Sequence, residues 1–333
     1  MTDLGWLDAG PIFGLPLPEL WFGLLFVMLG TFLFLDGFDF GAGAVFATRD
    51  SEADRETILA AIGPFWDGNE VWLVVFGGAL FAAFPSVYAG LFSRHYLLLF
   101  GVLGALILRG LAPEMYEQRD DETWQRWWGR AFVAGSVGAP LLLGVFVGNW
   151  LLGATTALTL GGALTGLTVV ALTVVSGVAF LQVKTRAGMD ADLQRYGEGA
   201  IAAYLVAVVL TLVALGLTRP GLVPTLTSPA VLGLVVLTLV LAGGYVVLLR
   251  QGRDVAALAA SAGLTYGLAT VVALLLYPTV DPASGTSVGE AIVSTLPLNL
   301  MSLGAAILLP LVATYFVVLY TAFSGPIEPS EGY

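Results

Sequence analysis

The sequence has no cysteine, a single histidine and few charged residues. Of its 333 residues, 11% are charged and 58% are hydrophobic, whereas a soluble domain carries about 25% charged residues. Without cysteine the chain has no disulfide, no cysteine-ligated cluster and no covalent haem attachment. One histidine, His95, excludes a bis-histidine haem held within the chain and argues against a copper or di-iron site. We therefore predict an interface or loop role for His95, and no metal or cofactor ligated by this chain. The net charge of −11 argues against a nucleic-acid partner.

What the sequence has in abundance is long apolar runs. Runs of about 20 residues can cross a bilayer as helix, the structure that satisfies every backbone group in lipid. The period-two alternation of barrel strands is missing. We predict an all-α integral membrane protein, a single transmembrane domain over 1–333, and no cleavable signal peptide. Nine transmembrane helices are predicted, at 21–46, 58–84, 94–112, 130–152, 157–182, 199–217, 229–250, 254–277 and 297–323.

Basic residues orient these spans. With the N-terminus outside and the C-terminus cytoplasmic, the outer loops hold only Arg94 and Arg219. The inner loops then hold eleven basic residues: Arg49, Arg55, Arg109, Arg119, Arg126, Arg130, Lys184, Arg186, Arg195, Arg250 and Arg253. Lysine and arginine concentrate on the cytoplasmic side of membrane proteins. The alternation therefore favours an odd number of helices.

Four acidic side chains fall inside predicted spans: Asp36 and Asp39 in the first, Asp67 and Glu70 in the second. Ionisable groups inside a membrane are costly and usually functional, and the i, i+3 spacing puts each pair on one helix face. The helical rise places Asp36 about 8 Å and Asp67 about 13 Å from the inner membrane edge. No lysine or arginine is predicted at that depth. We therefore expect these acids to be protonated, paired with polar groups or water, or matched by another chain, and burial favours the protonated form that a proton relay needs.

The neighbouring residues predict a cavity beside the acids. Gly63 and Pro64 interrupt the second span, and a proline frees a backbone carbonyl. Such breaks at membrane depth are tolerated where the backbone is buried in protein or lines a wet space. Arg109, at the inner end of the third span, is predicted either to snorkel to the interface or to bind an anionic group. Gly37 and Gly41 form a small-xxx-small pattern typical of a helix contact.

Several segments resemble subunit II of the cytochrome bd-type quinol oxidases, a family that includes a cyanide-insensitive branch. The first is residues 35–41 (LDGFDFG), and the second is residues 64–73 (PFWDGNEVWL) followed by residues 77–85 (GGALFAAFP). Weaker similarity is found at Arg109 and at residues 177–185 (GVAFLQVKT) and 298–301 (LNLM). Many members of the family have histidine where this chain has Phe65.

The resemblance implies a respiratory oxidase of the prokaryotic cell membrane that oxidises quinol and reduces oxygen to water. In that family haems b and d belong to subunit I, so this chain is expected to be a non-haem-ligating subunit and an obligate partner of subunit I. A small third subunit and a bound structural quinone remain open. The resemblance assigns proton uptake from the cytoplasm to Asp36 and Asp67, with neighbouring Asp39 and Glu70. The supporting residues are Trp66, Asn69, Trp72 and Arg109.

Two other functions are compatible with the same acids. A standalone proton- or cation-coupled transporter would use them without a partner, but such proteins are often built from inverted repeats, and this sequence shows no repeat. A purely structural scaffold would tolerate their neutralisation. Loss of oxygen consumption on neutralising the acids would distinguish the oxidase from the scaffold.

Overall fold

The computed structural model describes residues 8, 10–185 and 190–327, and these residues fold almost entirely into helices. In chain order the helices are α1 (Leu17–Phe46), α2 (Glu52–Ile62), α3 (Trp66–Ala83), α4 (Pro85–Arg94), α5 (Tyr96–Tyr116), α6 (Glu122–Leu152), α7 (Leu160–Lys184), α8 (Asp190–Thr218), α9 (Val223–Leu226), α10 (Pro229–Arg250), α11 (Asp254–Leu276), α12 (Val288–Ala291) and α13 (Thr295–Ala322). Within these ranges the strand-like pairing is an isolated bridge between Asp281 and Thr286, and no sheet forms. The predicted all-α class is confirmed.

Eight described helices are long and apolar enough to cross a membrane: α1, α5, α6, α7, α8, α10, α11 and α13. Each coincides with a predicted span, although α6 and α8 begin several residues earlier than predicted. The remaining predicted span, 58–84, is where the structure differs. That segment is divided between α2 and α3, and α3 alone is only 18 residues long. The chain is therefore an integral membrane protein with eight candidate spans among its described residues, and the ninth crossing stays a prediction.

The break between α2 and α3 lies where the sequence predicts it. Gly63 ends α2, and Pro64 has no N–H with which to continue the helical hydrogen bonds. The N–H of Phe65 turns back to the carbonyl of Ile62 at 2.9 Å, and a new helix starts at Trp66. The break separates α2, whose first turn is acidic and whose last turn is buried, from α3, whose first turn carries the polar residues of the second motif.

Helix α1 is the centre of the bundle and packs against α3, α6, α7 and α11. Its contact with α7 is backbone to backbone. A Cβ atom on Gly41 would lie 1.9 Å from the carbonyl oxygen of Thr173, and one on Gly177 would lie 2.4 Å from the carbonyl carbon of Gly41. Glycine at both positions therefore permits the close crossing, as small residues do between membrane helices. This confirms the predicted contact role of Gly41, whereas a Cβ on Gly37 would make an ordinary contact.

Helix α13 lies at the edge of the bundle, with most of its side chains exposed. Its first turns are fixed by the buried amide of Asn299, which donates to the carbonyl of Gly10 at 2.8 Å and accepts from the N–H of Ile12 at 3.0 Å. The indole of Trp21 on α1 donates to Ser302 at 3.0 Å. Asn299, within the motif at residues 298–301, thus attaches the start of α13 to the segment that precedes α1. The other end of α13 reaches the polar cluster described below.

Candidate functional site

Asp36 and Asp39 lie one turn apart on α1, and neither has any solvent exposure. The i, i+3 spacing puts both carboxyl groups on the face of α1 that meets α3 and α5. Burial of two acidic side chains without a partner would cost several kcal/mol per ion. Their position therefore requires neutralising groups nearby.

The neutralising group is Arg109 of α5, which is buried among three acids. Its Nη2 lies 2.7 Å from Oδ1 of Asp36 and 3.4 Å from Oδ2 of Asp39, and its Nη1 lies 3.3 Å from Oε2 of Glu70. The expectation that no basic residue sits at this depth is therefore wrong, and of the two roles predicted for Arg109 the structure has the anionic contact. The physical reason is the length of α5, which continues to Tyr116. Arg109 consequently lies about two turns inside the helix rather than at its end.

The Arg109 guanidinium lies over two aromatic rings. Its Cζ lies 4.9 Å from the centroid of the Phe40 ring and 5.6 Å from that of Trp66. The Trp66 ring in turn packs over Gly110, where a Cβ would come within 3.1 Å of it. Cation–π contacts of this kind stabilise a desolvated arginine. Trp66 therefore contacts Arg109 through its ring, and its supporting role in the site stays a prediction.

Asn69 connects the acids to α13. Its side-chain amide donates to Oδ2 of Asp39 at 2.9 Å and to the carbonyl of Leu35 at 3.2 Å. Its Oδ1 accepts a hydrogen bond from the hydroxyl of Tyr320 at 2.9 Å. Sequence reasoning did not find Tyr320, which is 251 positions away along the chain. The inner half of the last span carries four aromatic residues, Tyr315, Phe316, Tyr320 and Phe323, so the sequence offers no signal that singles out Tyr320.

Asp36 differs from Asp39 in its hydrogen bonds. The Arg109 contact with Asp36 is short but lies outside hydrogen-bond geometry, and neither carboxyl oxygen of Asp36 accepts a hydrogen bond from the described residues. On Asp39, Oδ2 accepts from Asn69 and Arg109, and only Oδ1 is left without a partner. A buried polar atom without a hydrogen bond calls for an explanation, such as a catalytic role or an ordered water.

Glu70 and Asp67 occupy the outer part of the site. The side chain of Glu70 is 30% exposed although it contacts Arg109. Asp67 is exposed and makes no contact with the guanidinium among the recorded ion pairs of the described residues. The structure thus brings Asp36, Asp39 and Glu70 together and leaves Asp67 beside them. Trp72 is half-buried against Phe316 at 6.0 Å between ring centroids, and its indole N–H has no described partner.

A cavity of about 820 Å³ leads from this cluster to the end of the bundle near the α2 and α5–α6 loops. Arg109, Trp66 and Gly63 line it, as the helix break predicted. Six acids lie on its walls: Asp54, Glu56, Asp67, Glu114, Glu117 and Asp120. Partial burial, together with the carboxylates of Glu114 and Glu56, raises the pKa of Glu117 above its usual value. The cavity therefore joins carboxyl groups at the end of the bundle to the buried guanidinium.

His95 lies elsewhere, at the junction of α4 and α5. Its ring is buried, with its plane at a right angle to that of Phe146 and 5.9 Å between ring centroids. This agrees with a loop position but not with exposure at an interface. The neighbouring Arg94 pairs with Asp281 through two contacts of 2.5 and 3.2 Å, which fasten the loop after α11 to α4. Within the described part of the chain, no group of three or more histidine, cysteine, aspartate or glutamate side chains could hold a metal ion.

Comparison with known proteins identifies relatives along the whole chain. The family described as cytochrome bd terminal oxidase subunit II matches residues 17–323. Cytochrome bd ubiquinol oxidase subunit 2 of Bacillus subtilis (strain 168) is 31% identical over 341 residues, covering 95% of this chain and 98% of the relative. Cytochrome bd-I ubiquinol oxidase subunit 2 of Escherichia coli (strain K12) is 39% identical over 136 residues, which are 40% of this chain and 36% of the relative.

The fold also resembles a solved structure. A chain in the structure of the bd oxidase from Geobacillus thermodenitrificans superposes with a TM-score of 0.77, covering 92% of this chain and 98% of that chain. Only 18% of the aligned residues are identical. The two chains therefore share the arrangement of their helices although their sequences differ at most positions.

Proposed function

Because the chain belongs to the cytochrome bd terminal oxidase subunit II family and is thus a component of a membrane quinol oxidase, we propose that its buried acid cluster carries protons from the cytoplasm toward oxygen reduction. The site at which oxygen is reduced lies in a haem-bearing subunit I, with which this chain forms a heterodimer in the prokaryotic cell membrane. The chain acts there as a single transmembrane domain with nine crossings. The cluster consists of Asp36, Asp39, Glu70 and Arg109.

The observation that carries the proposal is the excess of acids over bases at a buried position. Asp36, Asp39 and Glu70 share one guanidinium, so the fully ionised cluster would carry two more negative than positive charges. Excess charge away from water is costly, and buried carboxyl groups relieve it by binding protons. The Arg109 cluster is therefore suited to hold exchangeable protons.

The cavity supplies the uptake side of the route. Its acidic walls lie at the end of the bundle that the basic-residue pattern assigns to the cytoplasm, and the buried Arg109 lines its inner part. Asp67 stands on the cavity wall, one helical turn from Glu70. We assign Asp67 to proton collection and the Arg109 cluster to proton holding.

Glu70 is the residue at which protons leave this chain for the partner subunit. A carboxyl group that contacts a buried arginine yet stays 30% exposed on a membrane helix needs cover from another protein surface. The side chains of α3 on the same surface include the exposed Val71 and Val74. Subunit I covering this surface would place Glu70 at the interface, where a proton passes to the partner.

The residues of this chain do not fit a haem. Its one histidine is packed against Phe146, and it has no cysteine. We therefore assign haems b and d to subunit I. The chain's own contribution is the acid cluster and its cavity.

The test is oxygen consumption by the purified, haem-quantified complex carrying Asp36→Asn. Asparagine keeps the size of the side chain and removes the titratable proton. We expect the complex to assemble with intact haem spectra while quinol-dependent oxygen consumption falls about tenfold or more, a barrier increase of about 1.4 kcal/mol. Asp67→Asn should fall less, because other acids share the cavity wall.

The matched control is Glu19→Gln at the opposite end of α1, where the carboxyl group is exposed. This variant should keep wild-type turnover. Wild-type turnover in Asp36→Asn as well would leave the scaffold function standing and end the proposal.

A further inference from the structure

The amide of Asn69 can adopt only one orientation. Its two N–H groups donate to Oδ2 of Asp39 and to the carbonyl of Leu35, and its oxygen accepts from Tyr320. A flipped amide would set its oxygen against two acceptors and lose both bonds. The Tyr320 hydroxyl is what completes this arrangement, because it is the donor that the Asn69 oxygen requires.

Tyr320 itself is held firmly by neighbouring rings. It stacks on Phe65 with 4.6 Å between centroids and an angle of 21°, and on Phe316 with 6.2 Å and 26°. A third ring, Phe38, makes an edge-to-face contact with Tyr320, with 6.4 Å between the ring centroids. This contact is notable because α13 is otherwise mostly exposed. The last helix therefore reaches into the bundle at the place where it can fix Asn69.

The two buried aspartates differ in the hydrogen bonds that they accept. Asp39 accepts from Asn69 and from Arg109, which stabilises its ionised form. Asp36 lies nearer to Arg109 but accepts no hydrogen bond from the described residues, and a buried carboxylate without donors is the more costly of the two. One guanidinium compensates one carboxylate, and of the two buried aspartates we expect the one with fewer donors, Asp36, to bind a proton.

We propose that Tyr320 is a positioning residue that acts through Asn69 to hold Asp39 as the ionised partner of Arg109, which leaves Asp36 as the group that exchanges the proton. This rests on the proposed proton-carrying function and deepens it. Tyr320 transfers no proton in this scheme, because its hydroxyl donates to an amide oxygen that cannot take the proton. Its effect is to determine which carboxyl group is protonated.

The test is infrared difference spectroscopy on the assembled oxidase complex, combined with oxygen consumption. Wild-type complex should show a protonated-carboxyl C=O band from Asp36, absent in Asp36→Asn and retained in Asp39→Asn. Tyr320→Phe keeps the ring stack on Phe65 and removes the hydroxyl. We expect a second C=O band from Asp39 and turnover lowered about fivefold, in proportion to one lost hydrogen bond.

The matched control is Tyr266→Phe, which also removes a hydroxyl that bridges two helices, in this case to Thr31 at 2.8 Å and away from the cluster. It should change neither the band nor turnover. An unchanged carboxyl band in Tyr320→Phe, or the same change in Tyr266→Phe, would overturn the positioning role. Wild-type turnover in Asp36→Asn would instead overturn the proton-carrying function itself, so the two failures are distinguishable.

Discussion

At the scale of single residues, the sequence identifies the buried acids, but it predicts their partner Arg109 at a helix end rather than inside the helix. Charged side chains within apolar runs are easy to recognise, so Asp36, Asp39 and Glu70 are predictable from their positions in the sequence. Arg109 was also visible, but its depth depends on where α5 ends, and helix ends are poorly encoded. Tyr320 was not predictable, because its contact with Asn69 depends on how the last helix packs against the third.

Arg109 should contribute more to the stability of the protein than any exposed arginine. Arg109→Met removes the cation and leaves Asp36 and Asp39 buried without charge compensation. Breaking a buried ion pair on one side costs about 3–5 kcal/mol. We expect a lower thermal unfolding midpoint and a lower yield of assembled complex, measured by detergent thermal-shift and by haem content. Asp39→Asn in the same chain should recover part of the loss.

The control for this prediction is Arg250→Met. Arg250 also pairs with an acid, Glu198, at 2.8 Å, but its side chain is 60% exposed. Exposed ion pairs contribute little. Equal losses of stability in the two variants would contradict a special role for the buried cluster.

At the scale of helices, the sequence predicted where elements lie better than how they meet. The break at Gly63 and Pro64 was predictable because proline has a local steric effect. The close crossing of α1 and α7 was only half predictable. Gly41 was recognisable as a contact residue, whereas its partner at Gly177 belongs to a distant segment. That crossing sets the position of α1, and therefore of Asp36 and Asp39, within the bundle.

Gly41→Ala should separate α1 from α7. The added Cβ would lie 1.9 Å from the carbonyl oxygen of Thr173, a backbone atom that cannot move aside alone. We expect reduced accumulation of the complex in membranes and reduced turnover per haem, since the two aspartates move with α1. Gly233→Ala on α10 is the control, because a Cβ there has no neighbour within 4 Å. Normal accumulation and turnover in Gly41→Ala would show that the crossing tolerates separation.

At the scale of the whole molecule, eight crossings follow from apolar length and the ninth depends on α3. Helix α3 has 18 residues, which span about 27 Å, close to the hydrocarbon thickness of about 30 Å. Its first turns are polar because Asp67, Asn69 and Glu70 occupy them. The Arg109 cluster explains how such a helix is tolerated, since Asn69 and Glu70 are partnered within the bundle. The polar first turns of α3 are thus a consequence of the site.

Crossing by α3 fixes the side of every later loop, which gives a direct test of the nine-helix topology. The native chain contains no cysteine, so a single introduced cysteine reports one position. Gln118, between α5 and α6, and Thr227, between α9 and α10, are both exposed. With nine crossings and the N-terminus outside, Gln118→Cys faces the cytoplasm and Thr227→Cys faces outward. In intact cells a membrane-impermeant thiol reagent should label Thr227→Cys and leave Gln118→Cys unlabelled until the membrane is opened. If α3 did not cross, with the N-terminus still outside, both results would reverse. The α5–α6 loop would then lie on the opposite side of the membrane from α2, although both line the cavity, and the proposed route of proton uptake would end with it.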